Sequence, residues 1–138
     1  MAVGLKVKFF WYQIGTGDFL HSFFSTIAYN LEDGKWGTKY PFLMKELYSG
    51  ILKEEHLKNA KDELEIITNE LKKLSVSKAI WDIDDVSKPM PWGDNISSDI
   101  TDLSNYFVTS DGEDLITTLH HAIDKAMELK SDINIESL

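Results

Sequence analysis

The sequence predicts an α+β fold: one domain over residues 1–138, a small mixed or antiparallel sheet and about four helices covering it. The order it suggests is β-α-α-α-β-β-α-β. Three observations lead there. The N-terminal run VKFFWYQI is dense in Val, Ile and aromatic residues, as strands are. Later stretches carry apolar residues at helical three-to-four spacing. Short apolar runs bounded by Pro, Asp, Asn and Ser separate them. The chain is long enough to hide roughly two thirds of its unfolded surface, so one core suffices without disulfides. At 43% hydrophobic and 27% charged, the composition is globular rather than disordered.

The first strand is expected over residues 3–14, where Lys6 and Lys8 alternate with Leu5, Val7 and Phe9. A turn at residues 15–18 ends it. Phe19, Leu20, Phe23, Phe24, Ile27, Ala28 and Leu31 then recur as one face of a helix, which Thr16 or Asp18 can cap. Residues 32–37 form a loop. Residues 40–49 read as a short helix opened by Pro41 and closed by Gly50. In residues 54–74, Leu57, Ala60, Leu64, Ile67, Leu71 and Leu74 form one apolar stripe. It is too short for a coiled coil, so it should lie against a sheet or another helix. Residues 78–83 read as a second strand. Pro89 and Pro91 impose extended or turn structure on their predecessors. Residues 105–109 read as a third strand. Ser110 and Glu113 match a capping box ahead of Leu115, Leu119, Ala122, Ile123 and Ala126, a helix that runs to about residue 130. Residues 132–137 form the last strand.

Net charge is −9 and uneven. Residues 1–69 hold nine acids and eight lysines, whereas residues 70–138 hold fourteen acids and six lysines. Residues 82–114 carry nine acids against one lysine. Such a surface repels nucleic acid and anionic membranes, so neither is expected as a partner. There is no arginine, hence no bidentate clamp for phosphate or carboxylate. There is no cysteine, which removes disulfides and thiolate metal sites and fits a reducing compartment. No apolar stretch approaches the ~20 residues of a membrane span, and the N-terminus lacks the features of a signal peptide. A cytoplasmic protein is expected.

Sequence motifs for chemistry are weak. Asp82 and Asp84 would share one face of a strand end, as paired catalytic acids can, but strand ends also carry ordinary solvated acids. Asp82 to Asp85 lacks the glycine and distal Glu of a calcium loop. His120 and His121 are adjacent, so on a helix they diverge by about 100° and chelate poorly. Gly15 and Gly17 lie between a strand and a helix, but Leu20 replaces the third glycine of a dinucleotide fingerprint. No catalytic residue, cofactor or metal site is assigned. Among the tryptophans, Trp11 and Trp81 fall in expected strands, whereas Trp36 and Trp92 lie beside glycines in loops. There they either cap the core edge or anchor a partner.

Several segments together resemble one family. They are Phe9 to Tyr12 with Gly15 to Phe19, the loop Gly34 to Gly37, Pro91 to Ile96, and Leu103 to Gly112. Over roughly residues 3–135 the chain resembles the immunity protein 70 family, cytoplasmic antidotes of bacterial polymorphic toxin systems typical of Bacillus-like organisms. The resemblance implies an α+β fold and a binding function: blocking one cognate toxin domain, with no active site to carry over. Many such toxins are nucleases with basic clefts, and an acidic face suits one. On this reading Asp84, Asp85, Asp94, Asp99 and Asp102 supply charge, and Trp92 and Trp36 supply apolar anchors. The alternatives are an acidic adaptor or oligomerisation module using the Leu57 to Leu74 stripe, and a carboxylate-based hydrolase using Asp82, Asp84 or His120.

Overall fold

The computed structural model describes residues 2–137. It is an α+β domain with a four-stranded antiparallel sheet in the order β2-β1-β4-β3. The expected first strand is in fact a hairpin, β1 (Ala2–Val7) and β2 (Phe10–Thr16). Lys8 turns the chain in the left-handed region, at φ 53°. No Gly, Asn or Pro marks this turn, so the apolar run looks continuous in sequence. Gly4 makes room for the pairing: a Cβ there would lie 2.5 Å from the Trp11 ring on the facing strand.

Helix α1 (Gly17–Leu31) starts at Thr16, whose Oγ1 accepts the Phe19 amide at 3.1 Å. Its apolar face enters the core. A second stripe, Ser22, Ser25 and Thr26, is fully buried as well. After α1 the chain loops to a π-helical turn (Phe42–Leu47), the expected short helix in a wider winding. The loop is organised by Glu32. Its carboxylate is 1% exposed and accepts three backbone amides, from Gly37, Lys39 and Tyr40, at 2.9–3.0 Å. Strand β3 (Ile51–Leu52) follows. It is too short to be read from alternation.

Helix α2 (Leu57–Leu71) buries the expected stripe from Leu57 to Leu71, and Leu74, beyond its end, is partly buried against the core. It packs on α3 (Leu115–Leu129), α1 and the π-helical turn. Each fully buried Leu or Ile of this stripe contributes about 2 kcal/mol by leaving water. Helix α3 lies against β1, β2 and β4 (Ile133–Ser137). Its cap is Asp114, which accepts the Thr117 amide at 3.0 Å, rather than Ser110. Ser110 is drawn off to β2, where its amide donates to the Ile14 carbonyl. Glu113 donates its own amide to Thr109 Oγ1 at 2.9 Å.

Two expected strands do not form. In residues 78–83 the backbone pairs with the side chains of α1 instead of with a sheet. Ser22 Oγ donates to the Ile80 carbonyl at 2.7 Å, and the Ile80 and Ile83 amides donate to Thr26 Oγ1 and Ser25 Oγ. Asn30 donates to the Lys78 carbonyl at 2.9 Å. Residues 105–109 bury Tyr106 and Phe107 but make only a bridge, Val108 with Asp114. The tight turn into α3 leaves them no partner strand. No helix among the described residues is long and apolar enough to cross a membrane.

Replacing Glu32 with Ala removes the acceptor of three backbone amides, of which those of Gly37 and Tyr40 are buried and that of Lys39 partly so. We expect Glu32→Ala to lower unfolding free energy by about 3 kcal/mol in urea titrations, with Glu32→Gln in between. A loss under about 1 kcal/mol would show that the Glu32 carboxylate does not hold this loop.

Candidate functional site

Between Lys78 and Leu115 no regular helix or strand intervenes. Short polar side chains hold this segment in shape. Asp82 accepts the Asp84 amide at 2.9 Å, and Asp85 accepts the Ser87 amide at 3.2 Å. Asn105 Oδ1 accepts the amides of Thr101 and Asp102, and its Nδ2 donates to the Asp99 carbonyl. Asp102 accepts both the amide and the hydroxyl of Ser104. These are Asx-type turns, in which a side-chain oxygen replaces a backbone acceptor. The segment is tied to the rest by the Leu103 amide on the Leu74 carbonyl and by buried Leu103, Tyr106 and Phe107.

An aromatic series runs inward from it. Trp81 meets Trp92 edge to face at 5.8 Å, and the Trp92 indole N–H donates to the Tyr106 hydroxyl at 2.8 Å. Tyr106 packs on Phe107 at 5.1 Å, and Phe107 on Phe23 at 5.3 Å. Burial raises the Tyr106 pKa, the Trp92 hydrogen bond opposes this, and the charge of Asp94 adds to the rise. Beside Trp92 opens a recess of about 280 Å³ walled by Phe19, Trp92, Ile96, Ile100, Tyr106 and Val108, together with the polar residues Asn95 and Ser97. One adjoining hollow shares Ile96 and Tyr106 and adds Asp94. Another shares Ile100 and Val108 and adds Asp99 and Asp114. Acids therefore stand at two sides of an apolar slot.

A second group forms where α1 meets the start of the segment. His21, Asp82 and Asp84 place ligand-type atoms within 4.8 Å of one another. His21 stacks on Trp36 at 5.7 Å. Asp82 is already engaged: the Asp84 amide first, and the Lys88 ammonium at 3.3 Å, hold its carboxyl below the usual range. A metal ion here would compete with Lys88 for the Asp82 carboxylate.

The expected site residues therefore divide. Trp92, Asp94 and Asp99 surround the recess, whereas Asp84 and Trp36 belong with His21. Trp81 joins the two, as sequence neighbour of Asp82 and contact of Trp92. Trp36 is half-buried, donating its indole N–H to the Met44 carbonyl and packing on Tyr48 at 5.0 Å. Asp84, Asp85, Asp94 and Asp99 are exposed. His21, Ile96, Ile100, Tyr106 and Val108 escape sequence reading. Ile96 and Ile100 offered the one signal, as isolated apolar residues in an acidic, serine-rich run.

Asp102 is spent on its loop. Burial pushes its pKa up, but hydrogen bonds from Ser104 and Thr101, with the nearby charge of Lys72, outweigh this and lower it. A folded pKa below the unfolded one adds stability that is complete above the unfolded value of about 3.9 and is lost as pH falls through the folded value. Asp102→Asn should thus be less stable than wild type at about pH 7, with the gap shrinking toward about pH 3. Urea unfolding at the two pH values checks this, and a gap independent of pH would contradict it.

No curated protein and no solved structure shows a significant match to the chain. The family model described as Immunity protein 70 matches residues 5–135. That is nearly the whole chain, including the α1 stripe, the acidic segment and the aromatic series, and the chain accordingly belongs to the immunity protein 70 family.

Proposed function

We propose that this protein neutralises a cognate bacterial toxin domain by binding it, and that the acidic segment of residues 82–114 is the docking surface. Family membership over residues 5–135 is the observation that carries this reading. The surface chemistry supports it. Asp84, Asp85, Asp94 and Asp99 are exposed, and no lysine lies between Lys88 and Lys125. Negative charge of this density steers a cationic partner inward, and steered association reaches on the order of 10⁸ M⁻¹s⁻¹ at low salt. Trp92 and Trp36 supply rigid area beside the charges, and Asp102 supports the surface from within its turn. A toxin with a basic catalytic cleft, such as a nuclease, fits this surface: docking there would cover the cleft without chemistry by the inhibitor. Such a role belongs to a cytoplasmic protein that meets the toxin before it acts.

The oligomerisation alternative relied on the Leu57 to Leu74 stripe. Leu57, Ala60, Leu64, Ile67 and Leu71 are all buried in the chain's own core, so that stripe is not free to meet another copy.

Co-expression with the toxin domain encoded beside this gene should preserve growth. Exchanging Asp84, Asp85, Asp94 and Asp99 for lysine together should abolish protection and weaken binding by about 100-fold or more, while the helical circular dichroism signal stays unchanged. Failure of the wild-type protein to protect would overturn the function. Full protection by the lysine variant would overturn the docking surface.

A further inference from the structure

We infer that the recess beside Trp92 is a slot for one lysine or arginine side chain of the bound toxin. The aliphatic stem lies against the apolar walls, and the charged head sits at the end formed by Asp99 and Asp114. The inference rests on the toxin-binding reading and states what that surface selects.

Three features converge. First, the walls are mainly apolar, with Asn95 and Ser97 the polar members of the lining, and the Trp92 indole N–H is already given to the Tyr106 hydroxyl. The recess, about 280 Å³, opens past Ile100 and Val108 into a hollow of about 400 Å³, which leaves room for a long side chain to reach from the walls to Asp99 and Asp114. Second, the hollow that continues past Ile100 and Val108 is lined by Asp99 and Asp114. Among the described residues no lysine pairs with either acid. Third, Asp114, which lines that hollow, has its Oδ1 buried without a hydrogen-bond partner, while its Oδ2 caps α3. An unmatched buried carboxylate oxygen is costly, and positive charge brought beside it lowers that cost.

These features select the occupant. A purely apolar side chain would fill the walls but leave Asp99 and Asp114 in the adjoining hollow without a cationic partner. An anion would be repelled. A lysine or arginine has both halves, a long apolar stem and a cationic head, and such side chains bury the one while keeping the other against charge.

The test uses the purified toxin domain encoded beside this gene and two single variants. Asp99 is exposed, so Asp99→Asn should fold normally. Ile100→Asn removes apolar wall without adding charge. Each is expected to weaken binding about tenfold. Asp99→Asn should also flatten the salt dependence, and Ile100→Asn should leave it intact. Weakening by Ile100→Asn alone would mean an apolar occupant and overturn the cationic slot. Weakening by Asp99→Asn alone would mean a surface charge contact and overturn the buried stem. Unchanged binding in both would overturn the slot and leave the docking surface standing. If the wild-type protein fails to bind, the toxin-binding reading falls, and the slot with it.

Discussion

The structure depends on a stripe of polar side chains along α1. Ser22, Ser25, Thr26 and Asn30 recur at helical spacing, and the first three are fully buried. Buried hydroxyls need partners, and residues 78–83 supply them with backbone groups. The need is mutual. An extended segment placed away from any sheet would otherwise leave its own amides and carbonyls unpaired. Helix α1 thus faces two ways: aromatics and leucine toward the core, hydroxyls toward the segment that carries the acids. From this anchor Trp81 reaches Trp92, and Trp92 reaches Tyr106 and the core.

Carboxylates organise much of the backbone that lies outside the sheet and helices. Glu32 gathers three amides of its loop, and Glu63 accepts the Phe42 and Leu43 amides at the start of the π-helical turn. Burial raises the pKa of Glu63, while those two amides oppose the rise. In residues 82–114 the same chemistry recurs at the surface, where Asp82, Asp85, Asp99 and Asp102 each sit in a tight turn. One residue type therefore gives the segment its shape and its charge. The abundance of Asp has a structural cause that stands whether or not a partner docks.

Much of the fold was legible because periodicity reports burial directly. The α2 stripe, the apolar face of α3 and the final strand all follow from it. Other features were hidden for identifiable reasons. Lys8 takes a left-handed turn without any residue that advertises one, so a hairpin read as one strand. Residues 78–83 have strand-like composition, but their partner is a helix face, and composition does not say what a backbone pairs with. The cap of α3 moved from Ser110 to Asp114 because β2 claims Ser110. The charge of the candidate surface was countable from the start. Its recess was not, because Phe19, Ile100, Tyr106 and Val108 come together only through the tertiary fold.

An irregular segment can present a shaped recess only if it is ordered. Amide hydrogen exchange measures this directly at Ile80, Ile83, Leu103 and Ser110, whose N–H groups donate to Thr26, Ser25, Leu74 and Ile14. An ordered segment gives slow exchange at all four in the free protein, comparable to amides within α1. Exchange at the rate of an unstructured chain would mean that the segment forms no standing surface, and the described recess would have no physical basis before a partner arrives.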